Sequence, residues 1–288
     1  MNVPTEEQAT PVGRLMEGKR GLIMGVANDR SIAWGIASAA AAHGAELAFT
    51  YQGEALQKRV VPLAESVGSK IIANCDVSEE HSMDRLFELI EDVWGGLDFV
   101  VHAIAFSDKN ELDGQYVNTS RENFLRTMDI SCFSFTAIAK RAAPLMKDGG
   151  SLLTLSYLGA ERVMPHYNVM GVAKAALETS VKYLAVDLGA QNIRVNAISA
   201  GPIKTLAASG IGDFRYILKW NEINAPLKRN VTTAEVGNTG LYLLSDLGTG
   251  ITGEVMHVDA GYHAIGMVAV DEAQQLSTLL AGMSGSGS

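Results

Sequence analysis

The sequence of 288 residues has little cysteine, no long apolar run and no basic cluster. Its two cysteines, Cys75 and Cys132, lie in no CxxC or Cys/His spacing and indicate neither a zinc site nor a disulfide framework. No apolar run reaches the roughly 18 residues of a membrane span. The segment from Met1 to Gln8 is polar and acidic, so we expect no signal peptide. These absences predict a cytoplasmic protein without a membrane span.

The charge balance is also informative, because the formal net charge is −9. Proteins that bind phosphate backbones carry clusters of Lys and Arg, so this balance argues against a nucleic-acid partner. Glycine is abundant, with 29 residues, but follows no Gly-X-Y period that would indicate collagen. A hydrophobic content of 47% excludes a low-complexity linker and predicts a chain with a sizeable core.

Short apolar segments bounded by Gly or Asp alternate with longer helical patterns, which predicts parallel βαβ units. Strands of such sheets are covered on both faces, which explains why they are apolar throughout. We predict an α/β, Rossmann-like doubly wound fold, a seven-stranded parallel sheet with helices on both faces. The predicted strands are Lys19–Gly25, Ala45–Tyr51, Lys70–Asn74, Leu97–Ile104, Gly150–Tyr157, Asn192–Ser199 and Gly253–Val258. The predicted helical regions are Ser31–His43, Glu54–Val67, Glu79–Trp94, Ser120–Met146, His166–Gly189 and Thr233–Ser245.

No change in composition divides the chain into two domains. We expect residues 1–265 to form a single Rossmann-type domain and residues 266–288, which finish in SGSGS, to form a flexible tail. Residues 201–230 interrupt the alternation of strands and helices. A stretch of that length is typical of a functional flap, and a plain loop is the alternative.

Ligands of doubly wound sheets bind beyond the carboxyl ends of the strands. The first strand ends at Gly25, which would let a pyrophosphate approach the backbone beside a helix N-terminus. Because the pattern is not GxGxxG, a tight turn with Ser31 as the helix N-cap is the alternative. The second strand ends at Tyr51 and Gln52, and many dinucleotide folds carry Asp, Glu or Arg there. The absence of Arg favours NADH over NADPH.

Two further strand ends carry polar residues. Asp76 follows the third strand and is interpreted either as a helix cap or as an adenine contact. Tyr157 closes the fifth strand, and Tyr167 and Lys174 follow in a Tyr-x6-Lys spacing of nearly two helical turns. A lysine beside a tyrosine favours the phenolate and lowers the pKa of the phenol, and a phenol is a good donor to a developing oxyanion. A chance occurrence is the alternative, and only the position after the fifth strand argues against it.

These passages together resemble the short-chain dehydrogenase/reductase superfamily. More narrowly, they resemble the bacterial type I NADH-dependent enoyl-(acyl-carrier-protein) reductases of fatty acid biosynthesis. The resemblance spans residues 15–265 and is strongest over residues 157–162, 167–174 and 194–210. Carbonyl-reducing members of the superfamily use Tyr-x3-Lys with an upstream serine. Met170 and Tyr157 stand at those two positions here, which argues against carbonyl reduction.

The resemblance implies that NADH delivers a hydride to the β-carbon of a trans-2-enoyl thioester and that protonation at the α-carbon follows. It implies catalytic roles for Tyr167, which would stabilise the enolate oxygen, for Lys174, which would hold the nicotinamide ribose, and for Tyr157. The implied cofactor contacts are Gly25, Ser31, Ile32, Ala33, Gln52, Asp76, Val77, Ile104, Ala105, Lys174, Gly201, Ile203 and Thr205. The implied substrate contacts are Ala105, Phe106, Tyr157, Tyr167, Met170, Leu206, Ala207 and Ile211. No metal site is expected.

Residues 201–230 hold five basic and two acidic residues, a local net charge of +3. Within them, Arg215 and Lys219 are neighbours if the segment is helical and would suit an acidic acyl carrier protein. A solvated helix face is the alternative. The resemblance also implies a homotetramer. Two other functions stay open, namely a short-chain reductase that acts on a carbonyl and a dinucleotide-binding regulator without catalysis.

Overall fold

The protein is described by a computed structural model over residues 12–206, 208, 212–267 and 277. Its sheet has seven strands, all parallel. The strands are β1 (Arg20–Met24), β2 (Glu46–Tyr51), β3 (Ile71–Asn74), β4 (Phe99–His102), β5 (Gly150–Ser156), β6 (Ile193–Ala200) and β7 (Val255–Val258). Their order is β3-β2-β1-β4-β5-β6-β7, which confirms the predicted doubly wound fold. The direction of the order reverses between β1 and β4, the switch point where such sheets bind ligands.

Helices cover both faces of the sheet. Those of the described residues are α1 (Ile32–Ala42), α2 (Gly53–Ser66), α3 (Glu80–Trp94), α4 (Arg121–Met128), α5 (Ser134–Ala142), α6 (Asn168–Gly189), α7 (Phe214–Asn224) and α8 (Thr233–Leu244). In this part of the chain, none of the helices combines the length and the apolar character that crossing a bilayer requires. Residues 201–230, which interrupt the alternation of strands and helices in the sequence, contain the helix α7.

Two apolar cores lie on opposite faces of the sheet. Leu22 and Met24 of β1 pack in one core with α3, α5 and α6, whereas Ile23 between them packs in the other with α1, α2 and α8. All three side chains are completely buried. Because both faces of each central strand are covered, neighbouring residues are apolar without alternation, as the sequence predicted.

The helical region predicted over residues 120–146 is confirmed, since every residue from Arg121 to Leu145 is helical. A π-helical turn at Asp129–Phe133 separates α4 from α5. This turn places Ser131 against the loop after β4, where its Oγ accepts a hydrogen bond from Phe106 N at 2.9 Å and donates one to Phe106 O at 3.0 Å. An inserted residue of this kind hardly changes the apolar periodicity, and π-turns are often found beside functional sites.

Helices α1 and α8 meet at backbone contact through two glycines. A Cβ atom at Gly237 would lie 2.4 Å from Gly35 O, and one at Gly35 would lie 2.4 Å from Thr233 O. Only glycine leaves room for this approach of the two helices.

We expect Gly237→Ala to lower the free energy of unfolding by about 2 kcal/mol, because the added methyl group meets rigid backbone. Urea denaturation of the variant and of the wild type measures the difference. Gly189→Ala is the matched control, since Gly189 ends α6 and has open space around its Cβ position. That control should change stability by less than about 1 kcal/mol. Equal stability of Gly237→Ala and the wild type would contradict the packing argument.

Candidate active site

The carboxyl ends of β1, β4, β5 and β6 border a cleft of about 680 Å³, a size typical of small-molecule sites. Loops that are far apart in the sequence line it together with α7. The lining residues that the sequence analysis had selected are Gly25, Ser31, Ile32, Ala33, Ile104, Ala105, Phe106, Tyr157, Tyr167, Met170, Lys174, Gly201, Ile203 and Thr205. The parallel sheet therefore brings most of the proposed site residues to a single cleft.

The turn after β1 has the shape that an approaching phosphate needs. Gly25 has a φ of +97°, and a Cβ atom there would lie 2.1 Å from Ala103 O. Ser31 occupies the N-cap position of α1, but its side chain does not cap the helix. Its Oγ instead accepts hydrogen bonds from Ala27 N at 2.9 Å and Asn28 N at 3.1 Å, so it shapes the turn. Ser31 is therefore the N-cap residue of α1, as the alternative had it, although its side chain holds the turn and not the first amides of the helix.

Gln52 and Asp76 lie outside the cleft lining, at the carboxyl ends of β2 and β3. Gln52 Nε2 donates a hydrogen bond to Asp76 Oδ2 at 2.6 Å, and Ser78 N donates to Asp76 Oδ1 at 2.9 Å. Burial alone would raise the pKa of Asp76, but the hydrogen bonds from Ser78 and Gln52 hold it below its ordinary value. Asp76 thus forms a local turn and also contacts the neighbouring strand end. Val77 is buried in the core.

Tyr157, Tyr167 and Lys174 all line the cleft. The two phenol rings pack edge to face, with centroids 5.1 Å apart. Tyr167 lies at the N-cap of α6, just before the helix, and Lys174 lies nearly two turns further on. Lys174 Nζ donates a hydrogen bond to Leu155 O of β5 at 2.7 Å. This bond fixes a buried ammonium group at the edge of the sheet.

Burial decides the protonation of these groups. It lowers the pKa of Lys174 to about 8, and it raises the pKa of Tyr167 and of Tyr157 above the ordinary value of a phenol. The neighbouring Tyr157 and the carboxylate of Glu178 raise the pKa of Tyr167 further. The expectation that Lys174 makes the net shift of Tyr167 downward is therefore wrong. Tyr167 keeps its proton and is a neutral hydrogen-bond donor.

Not every predicted substrate contact lies at the cleft. Leu206 is 43% exposed and lies outside the cleft lining. Ala207 and Ile211 fall outside the described residues, as does most of the predicted tail. Ala208 lines the cleft instead, and its N atom donates a hydrogen bond to Thr205 Oγ1 at 3.1 Å.

Sequence reasoning missed two groups of lining residues. The first group directly follows the fourth strand. The rule that ligands bind at strand ends predicts these residues when it is applied to more positions beyond the end of the strand. The second comes from α7, where Phe214 and Ile217 are one helical turn apart. The further lining residues are Ala27, Ala103, Ser107, Asp108, Lys109, Asn110, Leu112, Leu155, Ser156, Pro165, Ala200, Pro202 and Ala208.

A smaller cavity of about 220 Å³ adjoins the cleft. Tyr157, Pro165 and Ile217 line both spaces. Its far wall includes Trp220 and Tyr262, joined by a hydrogen bond from Trp220 Nε1 to Tyr262 Oη at 2.8 Å. Apolar and aromatic space is thus available beside the two tyrosines.

Comparison with known proteins gives consistent matches over this region. A family model described as enoyl-(acyl carrier protein) reductase matches residues 25–263. The chain is 69% identical over 265 residues to enoyl-(acyl-carrier-protein) reductase (NADH) 1 of Rhizobium meliloti strain 1021, covering 92% of this chain and 97% of that protein. It is 57% identical over 253 residues to the Rickettsia typhi enoyl-(acyl-carrier-protein) reductase (NADH), covering 88% and 97%.

A solved structure is similar to the same extent. The enoyl-(acyl-carrier-protein) reductase of Anaplasma phagocytophilum, crystallised in complex with NAD, superposes with a TM-score of 0.87 and is 65% identical. The match covers 91% of this chain and all of that one. The resemblance inferred from the sequence is thereby confirmed.

The lowered pKa of Lys174 predicts a pH-dependent contribution to stability. An unfolded lysine keeps its proton to about pH 10.4, whereas the buried Lys174 loses it near pH 8. Between these values the unfolded chain binds more protons, so the free energy of unfolding rises with pH. We expect Lys174→Met to lack up to about 3 kcal/mol of this rise.

Urea denaturation between about pH 7 and pH 10 measures the effect as the difference between the variant and the wild type. Lys182→Met serves as the control, because Lys182 is an exposed lysine of the same helix. It should keep the pH dependence of the wild type. Parallel curves for Lys174→Met and the wild type would contradict the burial of a titrating lysine.

Proposed function

The chain belongs to the enoyl-(acyl carrier protein) reductase family, and from that premise we propose that it reduces the trans-2 double bond of enoyl-(acyl-carrier-protein) thioesters with NADH. The observation that supports this proposal is that Tyr157, Tyr167 and Lys174 line the cleft that also contains the turn at Gly25. A phenol donor and a buried cation thus share one cleft with the turn that would bind the dinucleotide.

NADH, when bound, supplies the hydride. The turn at Gly25 and the first amides of α1 would hold its pyrophosphate, because a helix N-terminus favours negative charge. Lys174 would donate to the hydroxyls of the nicotinamide ribose. Gln52 and Asp76 would face the adenosine end, where an amide and a carboxylate suit free ribose hydroxyls better than a 2′-phosphate. The Lys58 and Arg59 side chains of α2 are exposed.

Tyr167 is the group we place at the thioester oxygen. Hydride addition at the β-carbon moves the electron pair of the double bond towards that oxygen and forms an enolate. A neutral phenol can donate a hydrogen bond to the developing negative charge, and such preorganised donors stabilise transition states strongly. Protonation at the α-carbon then gives the saturated thioester. The raised pKa of Tyr167 supports this role, because the phenol stays protonated.

Lys174 and Tyr157 support the same site. The hydrogen bond from Lys174 Nζ to Leu155 O anchors a positive charge, which favours the anionic enolate. Tyr157 packs against the edge of Tyr167 and restricts its orientation. The apolar cavity behind Tyr157 suits part of an acyl chain.

Met170 opposes the alternative of carbonyl reduction. It lies four residues before Lys174 and lines the cleft, where carbonyl-reducing members of the superfamily carry their tyrosine. A thioether is a weak acceptor and cannot donate a proton to an alkoxide. The alternative of a regulator without catalysis predicts NADH binding without turnover, so an activity assay separates all three functions.

We also propose that acyl carrier protein docks on α7 beside the cleft. Arg215 is exposed on this helix, while Phe214 and Ile217 line the cleft. Lys219 Nζ is 3.1 Å from Glu222 Oε2, so part of its charge is compensated within the chain. Arg215 should therefore contribute more to docking than Lys219.

The homotetramer is a further proposal, and exposed apolar side chains support it. Tyr183 and Val186 of α6 are 71% and 81% exposed, and Phe133 of the π-turn is 52% exposed. β7 is the last strand at one edge of the sheet, and Leu247, in the turn that follows α8, is 60% exposed. Unpaired edge strands and apolar patches are typical of subunit contacts. We propose in addition that residues 1–265 act as one catalytic domain in the cytoplasm.

The proposed reaction predicts NADH oxidation, followed by absorbance, with a crotonyl thioester but not with a ketone. Tyr167→Phe should lower kcat by about 100-fold or more, because one oxyanion donor is lost. Tyr116→Phe, which removes an exposed phenol outside the cleft lining, should leave kcat unchanged. Turnover of the ketone alone, or NADH binding without any turnover, would contradict the proposed function.

The docking proposal predicts that Arg215→Glu raises KM about fivefold for an enoyl thioester carried by acyl carrier protein, because charge pairs at a protein interface become repulsive. KM for the corresponding coenzyme A thioester should change little. Lys70→Glu is the charge-matched control, since Lys70 precedes β3 at the opposite edge of the sheet. An equal rise in KM for both carriers would argue against docking at α7.

A further inference from the structure

His166, the residue before Tyr167, lies between two carboxylates. Its Nδ1 is 2.8 Å from Asp113 Oδ1, and its Nε2 is 3.2 Å from Asp213 Oδ2. Asp113 belongs to the loop after β4, and Asp213 directly precedes α7. One imidazole ring therefore joins the residue beside the proposed phenol donor to two segments that border the cleft.

We propose that His166 is a positioning residue for the reduction, resting on the function proposed above. As an imidazolium it pairs with Asp213 at the start of α7 and with Asp113 in the loop after β4, on the substrate side of the cleft. We call these two ion pairs the clasp. Carboxylates only accept hydrogen bonds, and a neutral imidazole has a single N–H donor. The Nε2 contact to Asp213 has hydrogen-bond geometry, whereas the Nδ1 contact to Asp113 is a close ion pair. His166 can therefore pair with both carboxylates at once only when both ring nitrogens carry protons.

The backbone around His166 is arranged for these contacts. His166 and Asp213 have φ angles of +55° and +51°, in the left-handed region that few residues other than glycine adopt. A Cβ atom at Gly212 would lie 2.7 Å from Asp113 Oδ1 and 3.1 Å from His166 Cγ. The chain thus accepts unfavourable dihedral angles at two residues and has glycine at the one position where a side chain would enter the clasp.

A second contact joins the same segments. Asn168 Nδ2 donates a hydrogen bond to Glu111 O at 3.2 Å. Next to it, Leu112 packs with Tyr167, Val169 and Met170 in a small buried cluster. The loop after β4 is therefore held against the start of α6 by packing, and the contact to Asp213 is the one that extends the connection to α7.

The clasp acts on the part of the cleft that would receive the acyl chain. Phe214 and Ile217 follow Asp213 on α7 and line the cleft. Gly25 and Lys174, which would contact the cofactor, lie outside the clasp. We therefore expect His166 to affect the binding of the enoyl thioester and not that of NADH. The contacts are partly exposed, with His166 at 29%, Asp113 at 63% and Asp213 at 71%, so the effect should be moderate and sensitive to salt.

The test uses His166→Asn in the full-length protein. Asparagine tolerates a left-handed backbone, so this variant removes the charge and keeps the chain conformation accessible. We expect KM for a crotonyl thioester to rise about fivefold with little change in kcat, as for the loss of partly exposed ion pairs. KM for NADH should stay at the wild-type value.

The pH profile separates positioning from a purely structural effect. Imidazole side chains change charge between about pH 5 and 8. In the wild type, KM for the thioester should therefore be low at the acid end of this range and rise towards its alkaline end. The carboxylates that face the ring are those of Asp113 and Asp213. KM of His166→Asn should be independent of pH there. A wild-type KM that does not change over this range would overturn the proposal.

Asp213→Asn provides an independent variant, and the double variant with His166→Asn should have no larger effect than His166→Asn alone. His81→Asn is the matched control, because His81 lies 3.9 Å from Asp84 on α3, outside the cleft lining. Additive effects of the two clasp variants, or an equal KM change in His81→Asn, would contradict the clasp.

Limited trypsin digestion gives a readout that does not depend on activity. Cleavage after Arg215, two residues beyond the clasp, should be faster in His166→Asn and Asp213→Asn than in the wild type and in His81→Asn. Equal cleavage rates would overturn the clasp even if the proposed reaction is correct. A wild-type protein without enoyl reductase activity would contradict the proposed function alone, since the digestion would still test the clasp.

Discussion

The parallel hydrogen-bonded pairing of β1, β4, β5 and β6 is the constraint on which the site depends. It brings four strand ends to one edge, where Gly25, Ala103, Tyr157 and Gly201 follow their strands. The approach of Gly25 to Ala103 O is possible only because no side chain intervenes. The same pairing presents Leu155 O to Lys174, so a backbone atom of the sheet anchors the buried ammonium group. The hydrogen bonds that hold the strands together therefore also determine where the proposed site residues lie.

Burial then gives the two key side chains complementary properties. Removal from water disfavours the charged form of each group, so the phenol of Tyr167 is held protonated and the pKa of Lys174 is lowered to about 8. A buried cation is costly unless an anion or a carbonyl compensates it. Leu155 O compensates part of the charge of Lys174. In the proposed reaction, an enolate in the cleft would add a negative charge that exists only during the reaction.

Much of this arrangement could be predicted from the sequence. The apolar segments gave all seven strands, because strands buried on both faces need no alternation, and the strand-end rule selected most of the cleft lining. The π-turn that places Ser131 against Phe106 was missed, since one extra residue leaves helical periodicity almost unchanged. The predicted direction of the pKa shift at Tyr167 is wrong, because the shift depends on how deeply the phenol is buried. The spacing of residues in the sequence does not indicate burial. The contacts of His166 join residues distant in sequence, and no local pattern indicates them.

The most direct test of the account is a crystal structure of the complex with NAD and an enoyl thioester. We predict that Tyr167 Oη donates a hydrogen bond to the thioester oxygen at about 2.7 Å and that Tyr157 only packs beside it. Lys174 Nζ should reach the ribose hydroxyls of the nicotinamide half. A complex in which the thioester oxygen is bound by Tyr157 or by solvent, with Tyr167 turned away, would contradict the central claim.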